Sequence, residues 1–265
     1  MVNWACTTSK ARGKHREGLT AQAKDLCAEL GIPVIARQNR GIPWLMEQYA
    51  LECLLVEEDG GLLAHWGDGS RFSFHPGMAV HRIKQIKDGK QEMLTQILEI
   101  EPGDEILDCT LGMANDAIVL SFAAGAQGHV TALESSPLIY AITSYGLCHW
   151  STGSVRMKAA MERIETIHCA YEDYLRQCVP DQFDTVYFDP MFEQPVYTSS
   201  GIAPLRRVAN YAPLTEETLE RACQVARRKV AVRHRAGTLT HLHFDEIKGG
   251  KYSTLAYGVR YADGK

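Results

Sequence analysis

A chain of 265 residues, 45% of them hydrophobic, can bury one large α/β core with a small appendage, and two domains is the upper bound. The formal net charge of −4 excludes a general polyanion binder, so any contact with nucleic acid has to rest on local basic patches. The eight cysteines are scattered singly without Cys-x-x-Cys or zinc spacing, no apolar run reaches the roughly twenty residues of a membrane span, and no leader pattern opens the chain. The expectation is a cytoplasmic protein with reduced thiols, no membrane association and no metal.

Residues 1–87 read as a small N-terminal α+β module in which short signals are divided by Gly, Pro and Arg. Residues 19–30 form an amphipathic helix closed by Gly31, residues 33–36 a brief strand, and residues 54–57 with 62–65 a hairpin around Asp59-Gly60-Gly61. Lys10, Arg12, Lys14, Arg16, Arg37 and Arg40 tint this module basic, which fits a solvated face or a nucleic-acid contact. Residues 71–82 are a strand that ends at Pro76-Gly77 and serves as the hinge, with His81 and Arg82 just beyond it.

Residues 88–265 form the larger domain. A short helix over 91–98 leads through Pro102-Gly103 into an apolar run at 105–108, then a turn through Gly112, then a helix opened by Asn115-Asp116. Strands at 129–133, 164–169, 183–188 and 230–234 alternate with helices at 137–149, 155–163 and 172–178, the pattern of a parallel sheet covered on both faces. Thr215 caps a further helix with Glu216 and Glu217 in its first turn and Arg227, Arg228 and Lys229 in its last, matching the helix dipole. Residues 244–248 and 252–261 pair as a terminal hairpin around Gly249-Gly250.

The chemistry concentrates at the ends of these strands. The turn after 105–108 presents backbone N–H groups at the carboxyl edge of a sheet, where open α/β folds bind ligands; an ordinary ligand-free βα unit is the plain alternative. Glu134 lies roughly twenty residues beyond, where a carboxylate accepts both hydroxyls of a ribose. A dinucleotide pyrophosphate requires a Gly-x-Gly-x-x-Gly turn, and only Gly112 is present. Asp108 would repel a pyrophosphate but can hold the ammonium of a methionine moiety. His75, His81 and His168 lack metal-ligand spacing and read as structural histidines.

Asp189-Pro190-Met191-Phe192 resembles the Asp-Pro-Pro-Tyr motif of methyltransferases that alkylate exocyclic or amide nitrogen, with Met191 in place of the second proline. A planar amine is a poor nucleophile until its N–H groups are held and its lone pair is turned toward the methyl group. The Asp189 carboxylate and the Pro190 carbonyl supply the acceptors, and Phe192 a stacking face.

Together with Asp108-Cys109-Thr110-Leu111-Gly112, Asp116-Ala117, Ser136-Pro137, residues 74–82, 199–206 and the closing hairpin, these motifs resemble the small-subunit ribosomal RNA guanine-N2 methyltransferases, most closely an uncharacterised bacterial branch. The resemblance covers nearly the whole chain beyond Arg71. It implies a Rossmann-like α/β fold with a seven-stranded methyltransferase sheet and a reversed last strand, S-adenosylmethionine as cofactor and ribosomal RNA as substrate. By this likeness Asp189, Pro190 and Phe192 are catalytic. The cofactor contacts are Asp108, Thr110, Gly112, Asp116, Glu134 and Ser135, and the substrate contacts Arg82, Met191, Ser200 and Arg206. The acid that follows the third strand in the family and contacts adenine is Ala170 here, which leaves Glu172 or Asp173 for that role. A small-molecule or protein-amide acceptor, a non-catalytic binding module and, last, a nicotinamide oxidoreductase are the alternatives.

Overall fold

The computed structural model describes residues 3–9, 18–191, 205–238, 240–249 and 254–262. In chain order the first elements are β1 (Trp4–Thr8), α1 (Ala21–Glu29), α2 (Ile42–Gln48), β2 (Cys53–Glu58), β3 (Gly61–Trp66), β4 (Arg71–Ser73), α3 (Gly77–Lys87) and α4 (Met93–Ile97). They are followed by β5 (Glu105–Asp108), α5 (Asn115–Ala124), β6 (His129–Glu134), α6 (Pro137–His149), α7 (Val155–Glu162), β7 (Ile164–His168), α8 (Tyr171–Gln177), β8 (Phe183–Phe188), α9 (Glu216–Val225), β9 (Ala226–Arg235), β10 (Glu246–Gly249) and β11 (Leu255–Tyr261). The chain divides into two units, one drawn from Met1–His75, Pro137–Ser151 and Thr198–Val208, the other from Pro76–Ser136, Thr152–Tyr197 and Ala209–Lys265.

The smaller unit is built on a four-stranded sheet in the order β1-β2-β3-β4, with β1 parallel to β2 and the other pairs antiparallel. The β2–β3 register pairs Glu58 with Gly61, so Asp59-Gly60 is a two-residue turn and Gly60 takes the positive φ it requires. Thr20 caps α1 through its hydroxyl, which accepts the Ala23 N–H, and Gly31 closes the helix in the left-handed region. Leu45 and Met46 of α2 pack on Ala5, Leu54 and Val56. Helix α6 packs on β3 and β4. The buried Glu57 carboxylate accepts the Tyr145 hydroxyl at 2.6 Å and the Thr20 N–H at 3.0 Å, so it is met by neutral donors.

Two readings of this unit change. Residues 33–36 form no strand; Val34 makes an isolated bridge to Cys6, and Pro33, which lacks an N–H, cannot extend the pairing. Strand β1 and helix α2 were not foreseen, because Cys and Thr hide the alternation of the first and Gly41-Ile42-Pro43 reads as a break at the start of the second.

The larger unit contains a seven-stranded sheet in the order β10-β11-β9-β8-β5-β6-β7. Strands β5 to β9 are mutually parallel, while β11 runs antiparallel to β9 and to β10. The α/β fold, its reversed late strand and the terminal antiparallel hairpin are therefore as expected, and the hairpin's turn at Gly250 lies outside the described residues.

Residues 77–87, read as the stretch beyond a hinge, are a helix. Ala79 and Ile83, four apart, bury one face of α3, and the Ala79 N–H donates to the Asn115 side chain at 3.1 Å. Arg227, Arg228 and Lys229 do not close α9. The helix ends at Val225, Ala226 is extended, and the three cations lie on β9 beside Asp184, Asp104 and Glu99. Acids on neighbouring segments, not the helix dipole, account for that charge order.

A Cβ at Gly146 of α6 would lie 2.3–2.5 Å from the Phe74 ring, which is itself buried. Gly146→Ala should lower stability by about 1–3 kcal/mol despite its better helix propensity. Thermal unfolding tests this, and an unchanged midpoint would show that Phe74 moves aside freely.

Candidate active site

The chain enters the larger sheet at its middle through β5, moves outward through β6 and β7, and returns to pair β8 with the other side of β5. The carboxyl ends of β5 and β8 therefore flank the point where strand order reverses, the place at which open α/β sheets present a crevice. Asp108 closes β5, and Asp189 directly follows β8. Thr110 joins them. Its hydroxyl accepts the Asp189 N–H at 2.7 Å, while its own N–H donates to Asp108 Oδ1 at 2.9 Å.

The turn between β5 and α5 is held from the neighbouring strand. Leu111 N–H donates to the Leu133 carbonyl at 2.8 Å, and Gly112 N–H to Glu134 Oε2 at 3.1 Å. Gly112 and Ala114 both have positive φ; the alanine is strained there, as residues at ligand sites often are. The other Glu134 oxygen accepts the Ser136 N–H at 2.8 Å. Burial still pushes the Glu134 carboxyl up to about 7, against these backbone donors.

Asp108 is 1% exposed, and its Oδ2 is buried with no hydrogen-bond partner among the described residues. Burial pushes its carboxyl up to about 8, and the negative charges of Asp116 and Asp189 add to the effect. An unpaired buried carboxylate oxygen is costly. It is well suited to a cationic ligand group that supplies both a proton donor and a compensating charge.

Behind these turns runs a chain of alternating charges. Arg82 of α3 donates to Glu92 Oε1 through Nε at 2.9 Å and Nη2 at 2.7 Å, and through Nη1 to Asp116. Asp116 also meets Nη1 of Arg233 at 3.2 Å and accepts the Tyr187 hydroxyl at 3.3 Å. Arg233 of β9 grips Asp189 with two donors, Nε to Oδ1 at 2.8 Å and Nη2 to Oδ2. Tyr257 of β11 is the register partner of Arg233, so the two side chains stand on the same face of the sheet. Burial pushes the Asp189 carboxyl up while Arg233 opposes it. Burial disfavours the Arg233 charge, yet Asp189 and Asp116 raise its pKa well above the usual value, so the guanidinium stays charged.

The structure thus gathers Asp108, Thr110, Gly112, Glu134, Asp116, Asp189 and Arg82 at one edge of one sheet. Asp116 and Arg82 face each other within the charge chain, so their polar atoms are engaged by protein partners. Pro190 and Met191 follow Asp189 and are partly exposed; Phe192 and Ser200 lie outside the described residues. Ser135 directly follows β6, and its carbonyl lies 3.3 Å from His168 Nε2. Asp173 pairs with Arg176 on the surface, and Glu172 lines a cavity of about 480 Å³ between α8 and α9. Arg206 sits in the 3-10 turn Leu205–Arg207, in the smaller unit. Sequence reasoning missed Arg233, Tyr187 and Tyr257. The one available signal was an arginine directly after the apolar run Val230-Ala231-Val232.

An open sheet with this topology and acids at its switch point defines a nucleotide-type ligand site. Residues 67–245 match the profile of a family described as "Putative SAM-dependent methyltransferase", where SAM is S-adenosylmethionine. The chain is 36% identical over 211 residues to the uncharacterized protein YpiP of Bacillus subtilis, covering 80% of this chain and 82% of that one. It is 26% identical over 233 residues to ribosomal RNA small subunit methyltransferase J of Marinobacter nauticus, with 81% of each chain covered. The crystal structure of a SAM-dependent methyltransferase from Neisseria gonorrhoeae shares the fold at a TM-score of 0.66 and 16% identity, over 99% of this chain and 97% of that one. The chain belongs to this family of SAM-dependent methyltransferases. It is an enzyme, with S-adenosylmethionine as its cofactor.

A ligand ammonium against Asp108 requires the ionised carboxylate. Because the free carboxyl titrates near pH 8, binding at lower pH must release its proton, and cofactor affinity should fall by up to about tenfold per pH unit below 8. Calorimetry in buffers of different ionisation enthalpy should detect proton release on S-adenosylmethionine binding at pH 6.5, and little in Asp108→Asn. Proton-neutral binding by the wild type would contradict an ammonium contact at Asp108.

Proposed function

We propose that this enzyme transfers the methyl group of S-adenosylmethionine to the exocyclic N2 amine of a guanine in small-subunit ribosomal RNA. The observation that carries this reading is Asp189-Pro190 at the carboxyl end of β8, with its carboxylate gripped on one edge by Arg233. The names of the methyltransferase J relatives support the RNA substrate.

Bound S-adenosylmethionine supplies an electrophilic methyl on a cationic sulfonium. The residues with the means to hold it are Asp108, whose unpaired oxygen suits the ammonium, and Glu134, which retains lone pairs for ribose hydroxyls beyond those given to Gly112 and Ser136. Thr110 and the Gly112 backbone shape the turn between them, with Asp116 and Ser135 behind it. Glu172 and Asp173 remain the candidates for the adenine end.

The acceptor amine gains nothing from a strong base. It needs its two N–H groups held so that the nitrogen lone pair faces the methyl group. Each Asp189 oxygen gives one lone pair to Arg233 and keeps another for the substrate. The Pro190 carbonyl, on a residue that cannot donate, is a second acceptor, and Phe192 offers a stacking face. The proton leaves only after the nitrogen has become cationic, when solvent can take it. Arg82 acts through Asp116, and Met191, Ser200 and Arg206 are left for contacts with the RNA.

Nucleoside mass spectrometry of ribosomal RNA from cells with and without the gene tests the reading. Loss of one N2-methylguanosine, restored by the wild type and not by Asp189→Ala, is the expected result. The Asp189→Ala protein should bind S-adenosylhomocysteine within about threefold of wild type, since the carboxylate serves the acceptor. An unchanged RNA profile would move the acceptor to a small molecule or a protein amide.

A further inference from the structure

Within the smaller unit, α2 and the edge formed by β3 and β4 border a cavity of about 620 Å³. This lies in the size range of small-ligand sites. One side is apolar, made by Ile42, Pro43, Met46 and Leu51. The other is cationic, made by Arg37, Arg71 and His65. His65 and Arg71 are register partners on β3 and β4, so their side chains stand on the same face of the sheet. That face also carries Leu54, the β2 partner of His65.

The polar groups of this wall are not consumed by the fold. Arg37 Nε and Nη1 and His65 Nε2 are buried without a hydrogen-bond partner among the described residues, and His65 is only 6% exposed. Burial pushes the His65 imidazole down, and the positive charges of Arg71 and Arg37 push it the same way, which places both guanidiniums within electrostatic reach of one point. Two acids are nearby: Glu47 lines the cavity, and Glu58 acts on Arg37 only through its charge. Buried guanidinium donors without acceptors are costly, and their planar fork matches the oxygens of a phosphate. One residue along α2 from Pro43, Trp44 is 40% exposed with the Arg40 guanidinium 4.6 Å above its ring, a surface on which a base can stack.

We propose that this cavity holds one nucleotide of the RNA substrate, with its phosphate against Arg37, Arg71 and His65 and its base against the apolar wall. The inference rests on the RNA reading above and assigns the smaller unit a grip on the strand that is separate from the methyl-transfer residues.

The test uses the full chain and a fluorescein-labelled single-stranded RNA containing 4-thiouridine, titrated over a range of salt. Arg37→Gln and Arg71→Gln should each weaken binding about tenfold and lower the salt slope by about 0.7. S-adenosylhomocysteine affinity should stay unchanged in both, and Lys24→Gln, at an exposed position of α1, should bind RNA as the wild type does. Photo-crosslinks should fall in peptides spanning 37–46 or 65–71. Wild-type affinity and slope in both arginine variants would overturn this proposal while leaving the RNA reading intact. Failure of the wild type to bind any RNA would overturn the two together.

Discussion

Carboxylates placed at the carboxyl edge of a buried sheet need cations buried with them, and this constraint shapes that edge of the larger unit. Glu92, Arg82, Asp116, Arg233 and Asp189 alternate in sign, each touching the next. They come from α3, the first turn of α5, β9, the cap of α4 and the end of β8. The charge chain therefore ties together elements far apart in sequence. Removing Arg82 or Arg233 leaves a terminal carboxylate, Glu92 or Asp189, without its cation, a loss of about 3–5 kcal/mol in buried settings, whereas the intact chain adds little net stability. Its worth lies in orientation. Asp189 is held by two parallel donors, so its carboxylate plane is set before any substrate arrives.

The same arrangement biases what can bind. Three carboxylates face two guanidiniums, leaving one negative charge, and Asp108 adds another when it ionises. Both make a cation welcome, and the sulfonium and ammonium of S-adenosylmethionine are cations. Thr110 transmits this geometry across the switch point, since one hydroxyl touches the backbone of Asp189 while the same residue's N–H touches Asp108. The smaller unit solves its own burial problem differently. Glu57 there is satisfied by a tyrosine hydroxyl and a backbone N–H, so no cation is spent on it, and Arg37 is left with donors to offer.

Much of this was legible in the sequence because the informative residues sit where one strand ends and a turn begins. Asp108, Gly112, Glu134 and Asp189-Pro190 each follow an apolar run, and local pattern is enough to place them on one edge of a parallel sheet. What escaped depends on distant partners. Arg233 looks like an interruption of an apolar strand until β9 is seen beside β8, where its side chain reaches an aspartate 44 residues away. Helix α3 escaped because Pro76-Gly77 reads as a turn, while Asn115, the partner of the Ala79 N–H in its first turn, is remote in sequence. Arg227, Arg228 and Lys229 read as the close of α9 in the sequence, because charge order alone does not distinguish a helix dipole from acids on adjoining segments.

Arg82 and Asp116 show the same limit from the other side. Their residue types and positions suggested direct contacts with substrate and cofactor, and the structure engages each of them with protein partners first. Whether the charge chain is a catalytic support or only a solution to burial is decided by single-turnover methyl transfer with Arg233→Lys. The acceptor would be small-subunit RNA from cells lacking the gene, with S-adenosylhomocysteine affinity measured in parallel. Lysine keeps the charge but loses the two-donor grip. A transfer rate reduced by about a hundredfold, with cofactor affinity within about twofold of wild type, is the predicted result. An undiminished rate in a folded Arg233→Lys protein would contradict the account, because Asp189 would then work without being held.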